Sequence, residues 1–233
     1  MMIMQIGTEL VILSSLAIIA LSGTIGVYLF RLWKAQPTRL MTDLPLVFAI
    51  STIAQAVQIF IGTLPNVGLV APSMELFRIR AIIICCSIVP IFGALLQIWT
   101  PRIQKYHNRL VLLVSVILMA TSIFGPTEEF IMVMVIPWIL VFGLLMLITF
   151  VITWKTGRLK EVRSDLMIVS IMFGLVSQAL RVPLLGSTFF YIPDVFLMLS
   201  MIFIAIAFAN PWYKRELKEK QRATPEIEMM VDY

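Results

Sequence analysis

The chain has 233 residues, of which 60% are hydrophobic and only 13% charged, and its mean hydropathy is +0.98. A water-soluble domain runs nearer half apolar and a quarter charged, so a soluble enzyme or binding module is excluded. The net charge of +5 and pI near 9.4 suit loops that face an anionic membrane leaflet, and nucleic acid is not needed to explain them.

Residues 1–8 carry no basic residue, and an apolar run extends from Leu10 to Phe30 before the first positive charge. That order and length disagree with a cleaved signal peptide. They predict a first membrane span over 7–33. Further apolar stretches predict spans over 41–64, 72–99, 107–125, 127–154, 162–184 and 188–212. Residues 1–212 then form one all-α integral membrane domain, a seven-transmembrane-helix bundle, and 213–233 form a basic tail.

Charge sets the expected orientation. Fifteen of the eighteen Lys and Arg residues fall in the stretches 31–39, 102–109, 155–163 and 214–222. Basic clusters beside spans are kept on the cytoplasmic side. Seven crossings therefore place the N-terminus outside and the C-terminus in the cytoplasm, as a multi-pass protein of the cell membrane. Trp33, Trp99, Trp154 and Trp212 all close spans at the inner side, as interfacial anchors do. Asp43 and Asp165 open inward-facing helix starts, where acids favour the helix dipole. Pro45, Pro90, Pro137 and Pro193 fall inside or just within spans and predict bends.

A weak internal repeat accompanies this plan. Trp33-Lys34 and Asp43-Leu44 bracket the first inner connector, and Trp154-Lys155 and Asp165-Leu166 bracket the third. Pro65-x-x-Gly68 and Pro183-x-x-Gly186 follow the second and sixth spans. Three helices, a linking helix and three more, a 3+1+3 parallel repeat, would produce this, as in some transporters. So would chance, because both halves need a basic inner loop and a turn.

Three cations escape the basic stretches: Arg78, Arg80 and Arg181. The orientation puts them in the outer third with Glu75, Asp194, Gln55, Gln58 and Gln178. Charges in hydrocarbon require pairing or water, so these residues are expected to form a polar cup open to the outside. Glu75 and Arg78 have i, i+3 spacing, and Asp194 is the expected partner of Arg181. Glu9, Glu128 and Glu129 lie at the same depth and snorkel more readily. Deeper spans offer only hydroxyls, among them Ser22, Thr24, Ser51, Thr52, Ser87, Ser115 and Ser170, which bond back to their own helix or join helices. Ionisable groups at depth are missing, which argues against a proton pump.

Other chemistry finds no apparatus. One histidine, His107, expected in an inner loop, and two adjacent cysteines, Cys85 and Cys86, expected to pack inside the bundle, build neither a metal site nor a disulfide. No catalytic set assembles at one depth, so no enzyme activity is expected. All seven lysines lie in inner loops or the tail, which leaves no Schiff-base lysine for retinal in the last span and no expected cofactor. Asn210-Pro211-Trp212-Tyr213 differs from the Asn-Pro-x-x-Tyr of G-protein-coupled receptors by one position. Sugar transporters of the SWEET kind resemble the chain in length and plan, but their Pro-Gln signature is missing. Seven-helix sensor domains of histidine kinases are similar in topology, but no kinase follows. No family is assigned on these likenesses.

The expectation for function is a membrane sensor or receptor. A small extracytoplasmic ligand would dock at the cup, and a cytoplasmic or membrane partner, or lipid, would meet Lys214, Arg215, Lys218, Lys220 and Arg222. The alternatives are a small-solute transporter and a non-catalytic subunit of a membrane complex.

Overall fold

The computed structural model describes residues 2–36, 39–157, 162–181, 189 and 191–210. These form α1 (Met2–Lys34), α2 (Leu44–Thr63), α3 (Met74–Trp99), a 3-10 turn (Pro101–Ile103), α4 (Gln104–Phe124), α5 (Glu128–Thr156), α6 (Ser164–Arg181) and α7 (Ile192–Ala209), with no strand among them. Six helices are long and apolar enough to cross a membrane, and Ser164–Leu180 is a shorter apolar helix. The chain is thus all-helical and has the make-up of a multi-pass membrane protein. Hydrocarbon offers no partner for backbone polar groups, so helices that satisfy their own are the structure it permits.

Local chemistry sets the helix ends. Ser73 Oγ accepts from Leu76 N at 3.3 Å and starts α3. Thr127 Oγ1 accepts from Phe130 N at 3.2 Å and starts α5. Gly157, at φ +62°, ends α5 in the left-handed conformation that glycine adopts freely. Pro45 and Pro193 sit in the first turns of α2 and α7, where no intrahelical hydrogen bond is lost; they begin helices and do not bend them, contrary to the expectation above. Pro90 and Pro137 do lie inside α3 and α5.

The helices close a ring. α1 packs on α2, α2 on α3, α3 on α5, α5 on α6, α6 on α7 and α7 back on α1, while α4 lies outside the ring against α3. Gly26 lets α1 approach α2 closely, since a Cβ there would run into Ile53 and Thr52. The ring contains both junctions a 3+1+3 plan requires, α1 with α7 and α3 with α5. Its most intimate pairs, α1 with α2 and α6 with α7, are not equivalent under such a repeat.

Hydroxyls behave as lipid demands. Ser22, Thr24, Thr52, Ser87 and Ser115 bond to carbonyls of their own helix, and Ser170 joins α6 to the Ser200 carbonyl of α7 at 2.9 Å. Cys85 is buried and meets Ser122 Oγ of α4 at 3.3 Å. Cys86 is exposed; helix neighbours point about 100° apart, so only one of the two packs inside. His107 belongs to the first turn of α4, not to a loop, and is buried with Nε2 2.9 Å from the Thr100 carbonyl.

Two ends of the bundle can be named by composition. The basic end carries the start of α2 and the ends of α1, α3 and α5. The arginine end carries Arg78 and Arg80. Between them lies an aromatic layer: Phe48 contacts Phe150 and Phe208 at ring separations of 6.3 and 5.6 Å, and Phe92 stacks on Phe142 at 5.0 Å. Phe150 is 1% exposed. Phe150→Ala should lower unfolding free energy in bicelles by about 3 kcal/mol, the cost of an unfilled core cavity. Ser170→Ala should cost only about 0.6 kcal/mol, as interhelical hydrogen bonds in membranes average. Denaturant titration of the two variants side by side checks the ranking.

Candidate functional site

At the arginine end, the two cations of α3 serve two different helices. Arg78 Nη2 donates to the Gly125 carbonyl at 3.1 Å, and Gly125 is the residue that caps the C-terminus of α4. The Arg80 guanidinium lies against Gly62 of α2, where an added Cβ would come within 2.8 Å of Cζ. Gly62 is in the last turn of α2. Residues two apart on a helix point about 200° apart, so one side chain reaches α2 and the other α4.

The physical cause is the helix dipole. The last carbonyls of a helix lack intrahelical donors and carry partial negative charge. In α2 this is aggravated by Pro65, which has no N–H to give the Ile61 carbonyl. Arg78 and Arg80 bring positive charge to the ends of α4 and α2. Arg181 is itself the last residue of α6, the corresponding place on a third helix. The three cations outside the basic stretches thus match three helix C-termini.

The expected cup residues are distributed as follows. Glu75 is exposed and makes no ion pair with Arg78; the i, i+3 spacing is met, but Arg78 is turned to α4. Gln178 is exposed, Gln58 is buried, and Gln55 is half-buried with its Nε2 buried and lacking a hydrogen bond. Gln58 shares a face of α2 with Gly62, four residues on. Asp194 is 5% exposed and accepts from Ser14 Oγ of α1 at 2.7 Å, and Ser177 Oγ of α6 donates to the neighbouring Pro193 carbonyl at 2.7 Å. Asp194 thereby fastens α7 to α1. The side chain of Arg181, the expected partner of Asp194, lies outside the described residues, as do Lys214, Arg215, Lys218, Lys220 and Arg222. Glu9, Glu128 and Glu129 are exposed.

Two cavities lie at the other end of the bundle. At the basic end a half-open cleft of about 480 Å³ sits between the start of α2, the ends of α3 and α5, and Val162 just before α6. Its polar lining is Gln36, Thr42, Asp43, Gln97, Thr149 and Thr153, over a floor that includes Ala94, Met146 and Phe150. A neighbouring hollow of about 410 Å³ lies on the α4 side, lined by His107 and Asn108, and Gln97 borders both. Several lining groups are already fixed: Thr149 Oγ1 accepts from Trp99 Nε1 at 2.9 Å, Thr153 Oγ1 donates to Ser164 Oγ at 3.2 Å, and Asp43 Oδ2 accepts from Leu40 N at 2.8 Å. Gln36 Oε1 is buried and has no hydrogen bond. Arg163, at the same end, pairs with Asp165 through both guanidinium and carboxylate arms.

Sequence reasoning did not pick out this cleft. Its signals were Gln97, a lone amide within one turn of Trp99, and the polar connector around Gln36 and Thr42. No three-residue group of His, Cys, Asp and Glu able to hold a metal occurs among the described residues.

Removing the cap on α4 with Arg78→Ala should cost about 2 kcal/mol, the order expected for a hydrogen bond to a charged group. Gly62→Leu must push the Arg80 guanidinium away from α2 and should destabilise comparably, whereas Gly68→Ala in the adjacent connector meets only open space and pays backbone strain alone. Thermal unfolding of the three variants in detergent tests this assignment; a neutral Gly62→Leu would refute the Arg80 contact. Compared with protein-family models, curated proteins and solved structures, the chain gives no match.

Proposed function

We propose that this chain is a seven-helix membrane sensor, with its N-terminus outside and its C-terminus in the cytoplasm, that relays a change at the arginine end to a cytoplasmic partner received in the cleft at the basic end. The observation that carries this reading is the cleft itself. It lies at the basic end and has Phe150 in its lining, whose ring contacts Phe48 at 6.3 Å. A shallow, half-apolar recess with such a floor suits a docking peptide better than a permeating solute.

α3 joins the two ends. It carries Arg78 and Arg80 near its start and Gln97 near its finish, nineteen residues from Arg78, or about 28 Å of helix. A ligand or lipid group that competes for either arginine frees the end of α2 or α4 and gives α3 a second resting position. Allosteric coupling of about 1–3 kcal/mol is enough to change occupancy of the cleft 5- to 150-fold.

A second reading is a transporter of a small neutral solute. In its favour, the cleft lies between α2 and α3 on one side and α5 and the start of α6 on the other, the seam along which two three-helix halves would rock.

Three measurements separate these readings. Single engineered cysteines should place residue 70 outside and residue 215 in the cytosol; the reverse pattern removes the proposed orientation. Spin labels at Ile98→Cys and Thr153→Cys, in a Cys86→Ser background, should report a changed distance across the cleft in Arg78→Gln. An unchanged distance, together with continuous uptake of neutral solutes by sealed vesicles, decides for the transporter.

A further inference from the structure

The end of the bundle where the cleft lies is mainly cationic, and Asp43 is the one charged residue in the lining of the cleft itself. Arg31, Lys34, Arg39, Arg102, Lys105 and Lys155 are all exposed at this end, while the floor includes Ala94, Met146 and Phe150. We propose that the chain's own segment 225–233 docks in this cleft and competes there with the cytoplasmic partner. The proposal rests on the reading of the cleft as a docking surface.

Three observations carry it. The first is charge. Segment 225–233 contains Glu226, Glu228 and Asp232 and no Lys or Arg, whereas 214–222 contains five. The basic part is drawn to an anionic leaflet, and the acidic part is repelled by that leaflet and attracted to the exposed cations at this end. The second is apolar content. Ile227, Met229, Met230 and Val231 interleave with the acids, and methionine fills irregular apolar recesses readily. An extended occupant also brings backbone N–H groups to a site where Gln36 Oε1 is buried without a donor.

The third is reach. Ala207 O of α7 accepts from Arg163 N at 3.1 Å, next to Val162 in the cleft wall. α7 therefore ends beside the cleft. Glu226 lies sixteen positions beyond Asn210, a span of up to about 55 Å, against about 30 Å for three helices side by side. Tethering at that distance supplies an effective concentration in the millimolar range, so a weak contact suffices.

The test uses the full chain in nanodiscs of mixed zwitterionic and anionic lipid, in a Cys86→Ser background. A short bismaleimide should link Gln97→Cys to Met229→Cys within one molecule about tenfold faster than it links Tyr106→Cys, exposed at the same end but outside both cavities, to Met229→Cys. Added peptide of sequence 225–233 should slow the first reaction, as should raised salt and the combined Glu226→Gln, Glu228→Gln and Asp232→Asn change. Equal rates at positions 97 and 106, or links only between molecules, overturn the proposal. If those rates are equal while Arg78→Gln still alters the distance across the cleft, the tail assignment fails and the sensor reading stands. If the link forms but the cleft ignores Arg78, the relay fails and the tail contact stands.

Discussion

Every helix that ends in hydrocarbon must find partners for carbonyls that its own turns cannot satisfy, and this requirement organises the arginine end. α2 and α4 finish there, α3 starts between them, and the connector after α2 supplies Val67 N to the Thr63 carbonyl and Leu69 N to the Leu64 carbonyl. A charge buried without compensation costs several kcal/mol, yet so does an orphaned carbonyl at the same depth. Arg78 meets one such need by donating to the Gly125 carbonyl, and the Arg80 guanidinium lies against Gly62 near the end of α2. Lysine would be a poorer choice at these positions, being a compact and strongly hydrated point charge. Two of the three exceptions to the clustering of cations, Arg78 and Arg80, thus lie against the ends of α4 and α2.

The same logic separates the two ends of the molecule. At the arginine end, polar groups fasten helices, Arg78 to α4, Ser14 to Asp194 and Ser177 to Pro193, while Gln55 Nε2 and Arg78 Nε are buried without a hydrogen bond. At the basic end some are fastened and some are not. Trp99 holds Thr149, and Thr153 holds Ser164, but the Gln36 oxygen has no donor and the space around it stays open. A buried acceptor without a partner is costly, and it is the kind of cost that an arriving N–H removes.

Much of the helix layout was legible because charge and length speak directly to the membrane. Basic stretches marked the connectors, and Ser73 and Thr127 sit where helix starts are expected. What sequence could not supply was azimuth. Each helix is apolar nearly all round, so no stripe tells which face meets which neighbour. Spacing made Glu75 and Arg78 a pair, but α4 lies close enough for its terminal carbonyl to win the guanidinium. Adjacent cysteines looked alike, but only Cys85 faces α4. The cleft was invisible for the same reason: Gln97 is one amide among apolar neighbours, and its significance depends on α2, α5 and Val162 converging on it.

The relay proposed through α3 would depend on where that helix is weakest. Pro90 has no N–H, so the carbonyl of Cys86, four residues earlier, lacks its intrahelical donor. Pro137 does the same to Val133 in α5. The two helices pack against each other, and just past the prolines Phe92 stacks on Phe142, with Trp138 5.6 Å from the same ring. Helix bending concentrates where the hydrogen-bond ladder is interrupted. Above this level α3 is tied to α2 and α4 through its arginines; below it, α3 is tied to α5 through Trp99 and Thr149. A shift of the upper segment therefore has a hinge to turn on and an aromatic contact that carries α5 with it. Both helices line the cleft, so under the proposed relay its width would report such a motion.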